Sequence, residues 1–273
     1  MKLRRDAIVV HILLILAVLM TIGPFVWMFL TSIKTYEEAI RIPPTLLPAI
    51  PQWRNYRIVL DKFPVGILYL NTFLTVTAVV IGQLAISAMA AYAFARLRFP
   101  GRDILFIAIL ALLMIPGQTF LIPHYVIMVK LRLTNTLPAL FIPRLFNVFG
   151  VFLLRQFFLV VPKALDDAAK IDGCNHFQIF YKIILPLSKP GLSALAILTS
   201  LWTWKELMWP IIVNRSIDKL TLSAGLAFLI GEHTTYYEQV MAGGILAIWP
   251  MIIVFFIFQR QFVAGLTAAA IKG

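Results

Sequence analysis

Six apolar runs dominate this chain: residues 8–30, 67–95, 104–129, 137–161, 191–213 and 240–258. Each reaches or approaches the roughly 20 residues that a helix needs to cross a hydrocarbon core about 30 Å thick. With 61% of its 273 residues hydrophobic, the chain holds more apolar material than one soluble core could hide. The expected class is therefore an all-α, polytopic membrane protein with six transmembrane helices in a single domain, residues 1–273. The first run follows Lys2, Arg4 and Arg5 as a signal peptide would, but it continues to Leu30 without a small-residue cleavage site, and a retained anchor is expected.

The net charge of +12 would suggest nucleic acid as a partner of a soluble domain. Here the Lys and Arg residues lie mainly between the apolar runs, where they orient a membrane protein, so nucleic acid is rejected. Arg96, Arg98 and Arg102 cluster in one short loop, which places that loop and both termini in the cytosol. Lone Cys174 and the scattered His11, His124, His176 and His233 show no ligand spacing, so no metal is expected on this chain. There is no G-x-x-x-x-G-K-[ST] loop to cradle phosphates, and no H-E-x-x-H, G-x-S-x-G or C-x-x-C. No catalytic residue or cofactor is assigned, and the chain is not expected to be an enzyme.

Prolines 24, 116, 123, 143 and 210 fall inside the apolar runs. Each frees backbone carbonyls that a membrane tolerates only where neighbouring helices or a wet cavity satisfy them. Irregular packing and a gated pathway both accommodate that pattern. In the fifth run, Lys205 and Glu206 are charged and flanked by Trp202, Trp204 and Trp209. Intramembrane charge points to function, so Trp204, Lys205 and Glu206 are candidates for a translocation path, although Lys205 could also snorkel to the headgroups. Arg144 and Arg155, near the ends of the fourth run, read as snorkelling anchors. The polar segment 214–239 offers Glu232, His233, Tyr236 and Tyr237, a mixture suited to a protein contact outside the membrane.

The segment 162–190 interrupts the apolar runs with DDAAKIDGCNHFQIFYKIILP at 166–186. Pro162 opens a short helix with Asp166 and Asp167 in its first turn, where carboxylates suit the dipole. Gly173 is expected to end it in a left-handed conformation. Asn175, with Gln178 three residues on, caps a second helix that Pro186 stops. Phe177, Phe180, Tyr181 and Ile184 share one face of that helix at i, i+3, i+4 and i+7. Such a helix-turn-helix suits the groove of another protein or the lipid surface.

The pattern Asp167, Ala168, Ala169, three residues, Gly173, nine residues, then Ile183, Leu185 and Pro186 resembles the EAA loop of bacterial ABC importer permeases, with aspartate in place of the usual glutamate. The runs AYAFARLRFPGR (91–102), MIPGQTFLIPHYVIMVKLRLTNT (114–136) and GLTAAAIKG (265–273) resemble the maltose-type, MalG-like branch of that family. Trp204, Lys205 and Glu206 stand where the family often reads Trp-Asn-Glu.

The resemblance implies a permease of the bacterial inner membrane that imports a sugar or oligosaccharide. It also implies a second, related permease, a pair of cytosolic ATPase subunits that bind ATP and Mg, and an extracytoplasmic solute-binding protein. Segment 162–190 would then be the coupling loop, contacting the ATPase through Asp167, Ala168, Ala169, Gly173, Phe177, Phe180, Ile183, Leu185 and Pro186, and the 265–273 tail would reach the same subunits. Import of glycerol phosphate derivatives is the alternative within transport. A membrane scaffold that recruits a cytosolic protein is the alternative of another class.

Overall fold

Three of the six apolar runs are not straight helices. A computed structural model describes residues 2–231 and 234–270, and among these every regular element is helical. The helices are α1 (Lys2–Ser32), α2 (Tyr36–Ile40), α3 (Arg54–Lys62), α4 (Val65–Arg96), α5 (Arg102–Ala111), α6 (Leu121–Lys130), α7 (Leu137–Phe141) and α8 (Val148–Val160). Then follow α9 (Lys163–Ile171), α10 (His176–Ile179), α11 (Leu185–Leu187), α12 (Lys189–Trp204), α13 (Met208–Val213), α14 (Leu222–Ala227) and α15 (Tyr237–Ala270).

Val10–Ser32, Val65–Arg96 and Tyr237–Ile257 are continuous and apolar enough to cross a membrane, matching the first, second and sixth runs. Counting bent helix pairs brings the total to as many as six. The third run bends by 98° between Met114 and Gly117, beside Pro116, and the fourth by 48° between Arg144 and Val148, just after Pro143. The fifth differs from the expected continuous helix over 191–213: α12 stops at Trp204, residues 205–207 are non-helical, and α13 restarts with Pro210 in its first turn. A ring without an N–H is tolerated in a first turn, so the proline is compatible with the restart. By contrast, α1 runs unbroken through Pro24.

The chain divides into two compact units, Met1–Val65 with Gly225–Pro250 and Gly66–Ala224 with Met251–Gly273. In the first, the Asn55 amide donates to the Ser32 and Lys34 carbonyls at 2.9 Å each, tying α3 to the end of α1. Lys34 is buried, with its Nζ donating to the Thr45 carbonyl and lying 4.5 Å from the centre of the Trp27 ring. In the second unit, α4 and α8 approach closely at Gly150, where an added Cβ would lie 2.7 Å from Ser87 Oγ. One core cluster joins Ala88, Tyr92, Leu154, Phe158 and Leu195 of the long helices to Ala169, Ile179, Phe180 and Ile184 of the 162–190 segment. A second packs Met128, Ala139, Leu140, Trp209 and Val213 together, holding α6, α7 and α13 in place around the breaks.

Candidate functional site

The three breaks meet at one cavity of about 420 Å³. Gly117 and Gln118 line it from the third run, Arg144, Phe146 and Asn147 from the fourth, and Thr203, Glu206, Met208 and Trp209 from the fifth. Gln83 of α4, Thr199 of α12 and His124 of α6 complete its polar wall, while Phe120, Trp202 and Trp209 contribute aromatic surface. His124 stacks on Phe120 and meets the edge of Trp209, with ring centres 6.1 and 6.0 Å apart.

Side chains of this unit satisfy the groups that the breaks release, as a low-dielectric interior requires. Gln83 Nε2 donates to the Arg144 carbonyl at 2.7 Å, and Gln83 Oε1 accepts from Thr199 Oγ1 at 2.9 Å. Asn147 caps α8, its Oδ1 accepting from the Gly150 N–H at 3.3 Å. Trp209 Nε1 donates to the Ala139 carbonyl at 2.9 Å. Glu206 does two things at once: Oε1 accepts from the Trp209 N–H at 3.2 Å at the start of α13, and Oε2 accepts from Arg144 Nη2 at 2.7 Å.

The three residues expected on a translocation path therefore part company. Glu206 faces the cavity. Lys205 ends α12 as its C-cap with an exposed side chain, and Trp204 lines a separate apolar groove with Phe73, Val76 and Met251. Arg144 is not a snorkelling anchor: it ends the helical turn Ile142–Arg144, and its guanidinium pairs with Glu206 on the cavity wall. Arg155 likewise turns inward, donating to the Phe94 carbonyl at 3.4 Å and lying 4.1 Å from the centre of the Phe106 ring. Gln83, Gln118, Asn147, Thr199 and Thr203 escaped sequence reasoning. The signal that could have found them is the recurrence of proline in three successive runs, since each breaker demands polar partners nearby.

The 162–190 segment folds as the caps dictate. Gly173 has φ +80°, its N–H donates to the Lys170 carbonyl at 3.0 Å, and the Cys174 N–H donates to the Ala169 carbonyl at 2.9 Å. This is the left-handed, doubly bonded helix ending expected of glycine. Asn175 and Gln178 form the reciprocal capping box at 2.8 and 2.9 Å. Asp166 turns inward to Arg96 at 3.3 Å, and the Arg96 guanidinium also donates to the Phe158 and Val161 carbonyls at 2.6 Å each. One buried side chain thus ties the end of α4 to the end of α8 and to α9.

Two expectations here need correction. The proposed common face of Phe177, Phe180, Tyr181 and Ile184 does not exist: Phe180 and Ile184 are buried in the core, whereas Phe177 and Tyr181 are 72% and 64% exposed. Residues Phe180–Ile184 form a π-helical turn, closed by the Leu185 N–H donating to the Phe180 carbonyl; Phe177 and Tyr181, four apart, take the solvent edge of the stripe, and Phe180 and Ile184, also four apart, take the core edge. Nor does Pro186 stop the helix. It sits in the first turn of α11 directly after that wide turn, and the helix ends at Ser188. Of the residues expected to meet an ATPase, Asp167, Ala168, Gly173, Phe177 and Pro186 are exposed. Ala169 and Phe180 are buried, and Ile183 and Leu185 pack half-buried against the core.

Tyr236 packs against Tyr36 with the rings tilted by 57° and their centres 5.4 Å apart, under Lys62, whose Nζ donates to Gln239 Oε1 at 2.7 Å; Tyr237 opens α15 with its side chain exposed. Glu232 and His233 lie outside the described residues, as does the tail from 271 onward.

Residues 83–267 match the family described as "Binding-protein-dependent transport system inner membrane component". An arabinooligosaccharides transport system permease protein, AraQ, of Halalkalibacterium halodurans is 43% identical over 71% of this chain and 70% of that protein. The AraQ protein of Bacillus subtilis is 34% identical over 93% of this chain and 92% of its own. An sn-glycerol-3-phosphate transport system permease protein, UgpE, of Pectobacterium atrosepticum is 32% identical over 94% of both. A chain from the crystal structure of a bacterial ABC transporter involved in the import of the acidic polysaccharide alginate superposes with a TM-score of 0.81 at 26% identity, covering 95% of this chain and 97% of that one.

Proposed function

This chain belongs to the binding-protein-dependent transport system inner membrane components, and we propose that its broken-helix cavity is the section of a translocation path along which a sugar or oligosaccharide enters the cytosol. The chain is a non-catalytic permease subunit of an ABC importer with an all-helical fold. Its work is to offer a path and to move, not to break bonds.

The observation that carries the reading is the convergence of three breaks on one polar cavity. Irregular backbone at membrane depth is stable where it lines a wet space, and transporters place solute sites there. The wall suits a hydroxylated solute: amides and hydroxyls of Gln83, Gln118, Asn147, Thr199 and Thr203 supply donors and acceptors, and Trp202 and Trp209 supply flat apolar surface. The relatives named for sn-glycerol 3-phosphate keep glycerol phosphate derivatives as the second reading. Against it stands the neutralisation of Arg144 by Glu206, since a phosphate needs an uncommitted cation.

In the assembly we infer, all of 1–273 is one transmembrane domain of six spans, three of them bent, with both termini cytosolic. It pairs with a second permease, a solute-binding protein outside, and two ATPase subunits that hold ATP and Mg. The helix-turn-helix at 162–190 presents Asp167, Ala168, Gly173, Phe177 and Pro186 to the ATPase. Ala169, Phe180, Ile183 and Leu185 act from behind, joining that surface to the spans. Tyr236 and Tyr237, with the neighbouring Glu232 and His233, face the binding protein.

The test is reconstitution of the chain with its partners in liposomes. ATP-dependent accumulation of a neutral oligosaccharide is expected. Accumulation of glycerol phosphate alone would favour the second reading, and no ATP-driven uptake of any solute would refute transport.

A further inference from the structure

Arg144 and Glu206 come from two different breaks and meet at 2.7 Å on the cavity wall, with about a third and a quarter of their side chains exposed. A guanidinium at membrane depth has few stable fates. It must pair with an acid, bind backbone carbonyls, or draw an anion from solution. Here Glu206 takes the first role while its other oxygen caps α13 through the Trp209 N–H. The remaining charged candidate in the fifth run, Lys205, is exposed and does not line this wall. His124 is the other titratable group facing the pair, on the aromatic side of the cavity.

We propose that Glu206 is a charge-selectivity residue: by occupying Arg144 it keeps the path electrically balanced, so that uncharged solutes pass and anions find no site, and its removal turns the same cavity into an anion-binding site. The inference rests on the cavity being the solute path. Its physical core, that Arg144 becomes an anion site when Glu206 is neutralised, is separately measurable. Arg144 suits such a ligand, because its planar fork of donors matches phosphate and carboxylate oxygens. Neutral groups of the wall would complete the shell, with Gln118 and Thr203 as donors.

The geometry also supplies a clean perturbation. Glu206→Gln keeps an acceptor oxygen for the Trp209 N–H, so the α13 cap survives, but it removes the charge that holds Arg144. Arg144→Gln/Glu206→Gln removes both charges and serves as the control for phosphate bound by the ATPase subunits. The assembled transporter is purified in each form, and binding of radiolabelled inorganic phosphate is measured. Inhibition of neutral oligosaccharide uptake by phosphate is followed in liposomes, relative to each variant's own rate.

Glu206→Gln should bind phosphate at least about tenfold more tightly than wild type and the double variant, because a charge-assisted fork to phosphate replaces the lost carboxylate. Its uptake should become phosphate-sensitive to the same degree. Phosphate binding equal to wild type overturns the proposal. Tighter binding without inhibition of uptake would retain the anion site but remove it from the path, and so overturn the selectivity role. Should Glu206→Gln fail to assemble, Arg144→Gln is the mirror test: its uncompensated Glu206 should make uptake sensitive to protonated glucosamine, and indifference overturns the proposal. If the wild-type complex moves no solute, the transport reading fails, while the phosphate titration still decides the charge inference.

Discussion

Gly173 offers the sharpest measurement of how the 162–190 segment works. Its φ of +80° lies where an L side chain is strained, yet a Cβ built there meets no atom within 4 Å. The steric contribution of a substitution is therefore nil within this chain, and the backbone term stands alone. For alanine that term is about 1–2 kcal/mol, equivalent to a factor of roughly 5–30 in the population of the doubly bonded turn. If the turn must be formed for an ATPase to dock, Gly173→Ala should weaken docking by up to that factor. Asparagine enters the left-handed region more readily, so Gly173→Asn should fall between glycine and alanine. Gly173→Asp adds a carboxylate beside Asp172 in the chain, which should bring it below asparagine if the partner surface desolvates it. The assay is the amount of ATPase copurified per permease from membranes washed at fixed salt, with solute uptake measured in parallel at matched expression. Wild-type copurification by the alanine variant, or a greater loss for asparagine than for alanine, would refute the reasoning, since neither result is compatible with a cost set by backbone conformation.

Three other outcomes follow from named contacts. Arg96→Leu strands Asp166 and the Phe158 and Val161 carbonyls, and breaking a buried pair of this kind costs about 3–5 kcal/mol; Asp166→Ala leaves Arg96 its two carbonyls and should lower the melting temperature in detergent by less. Gly150→Ala drives a methyl to 2.7 Å from Ser87 Oγ and 3.1 Å from Leu195, which should cost about 1–3 kcal/mol by overpacking and be relieved in part by Ser87→Gly. Hydrogen bonds from the Ala49 N–H first, and then from the Thr35 N–H, hold the Glu38 carboxyl below its ordinary range. Because the folded value is the lower one, this stabilisation is complete above the ordinary carboxylate range and disappears as pH falls through the depressed value. Proteolysis of the 41–50 segment should accelerate over that acidic window, and Glu38→Gln should flatten the profile.

Whatever depends on neighbours along the chain was legible from residue order. The first, second and sixth apolar runs, the left-handed glycine at 173 and the capping box of Asn175 and Gln178 are all local, and each stands where residue type alone placed it. The prolines announced that something would bend, but not what the bends were for. It took the folded chain to bring Gly117 and Gln118, Arg144 and Asn147, and Thr203, Glu206 and Trp209 to one cavity, pair Arg144 with Glu206, and leave Lys205 off its wall. Folding also split the aromatic stripe, sending Phe180 and Ile184 into the core and leaving Phe177 and Tyr181 outside, a division that no spacing rule foresees. The physical reason is the same in each case. A freed carbonyl or an intramembrane charge must be satisfied, yet the groups that satisfy it here lie some 60 residues away, from Gln83 to Arg144 and from Arg144 to Glu206, and such partners are chosen by packing rather than by sequence proximity.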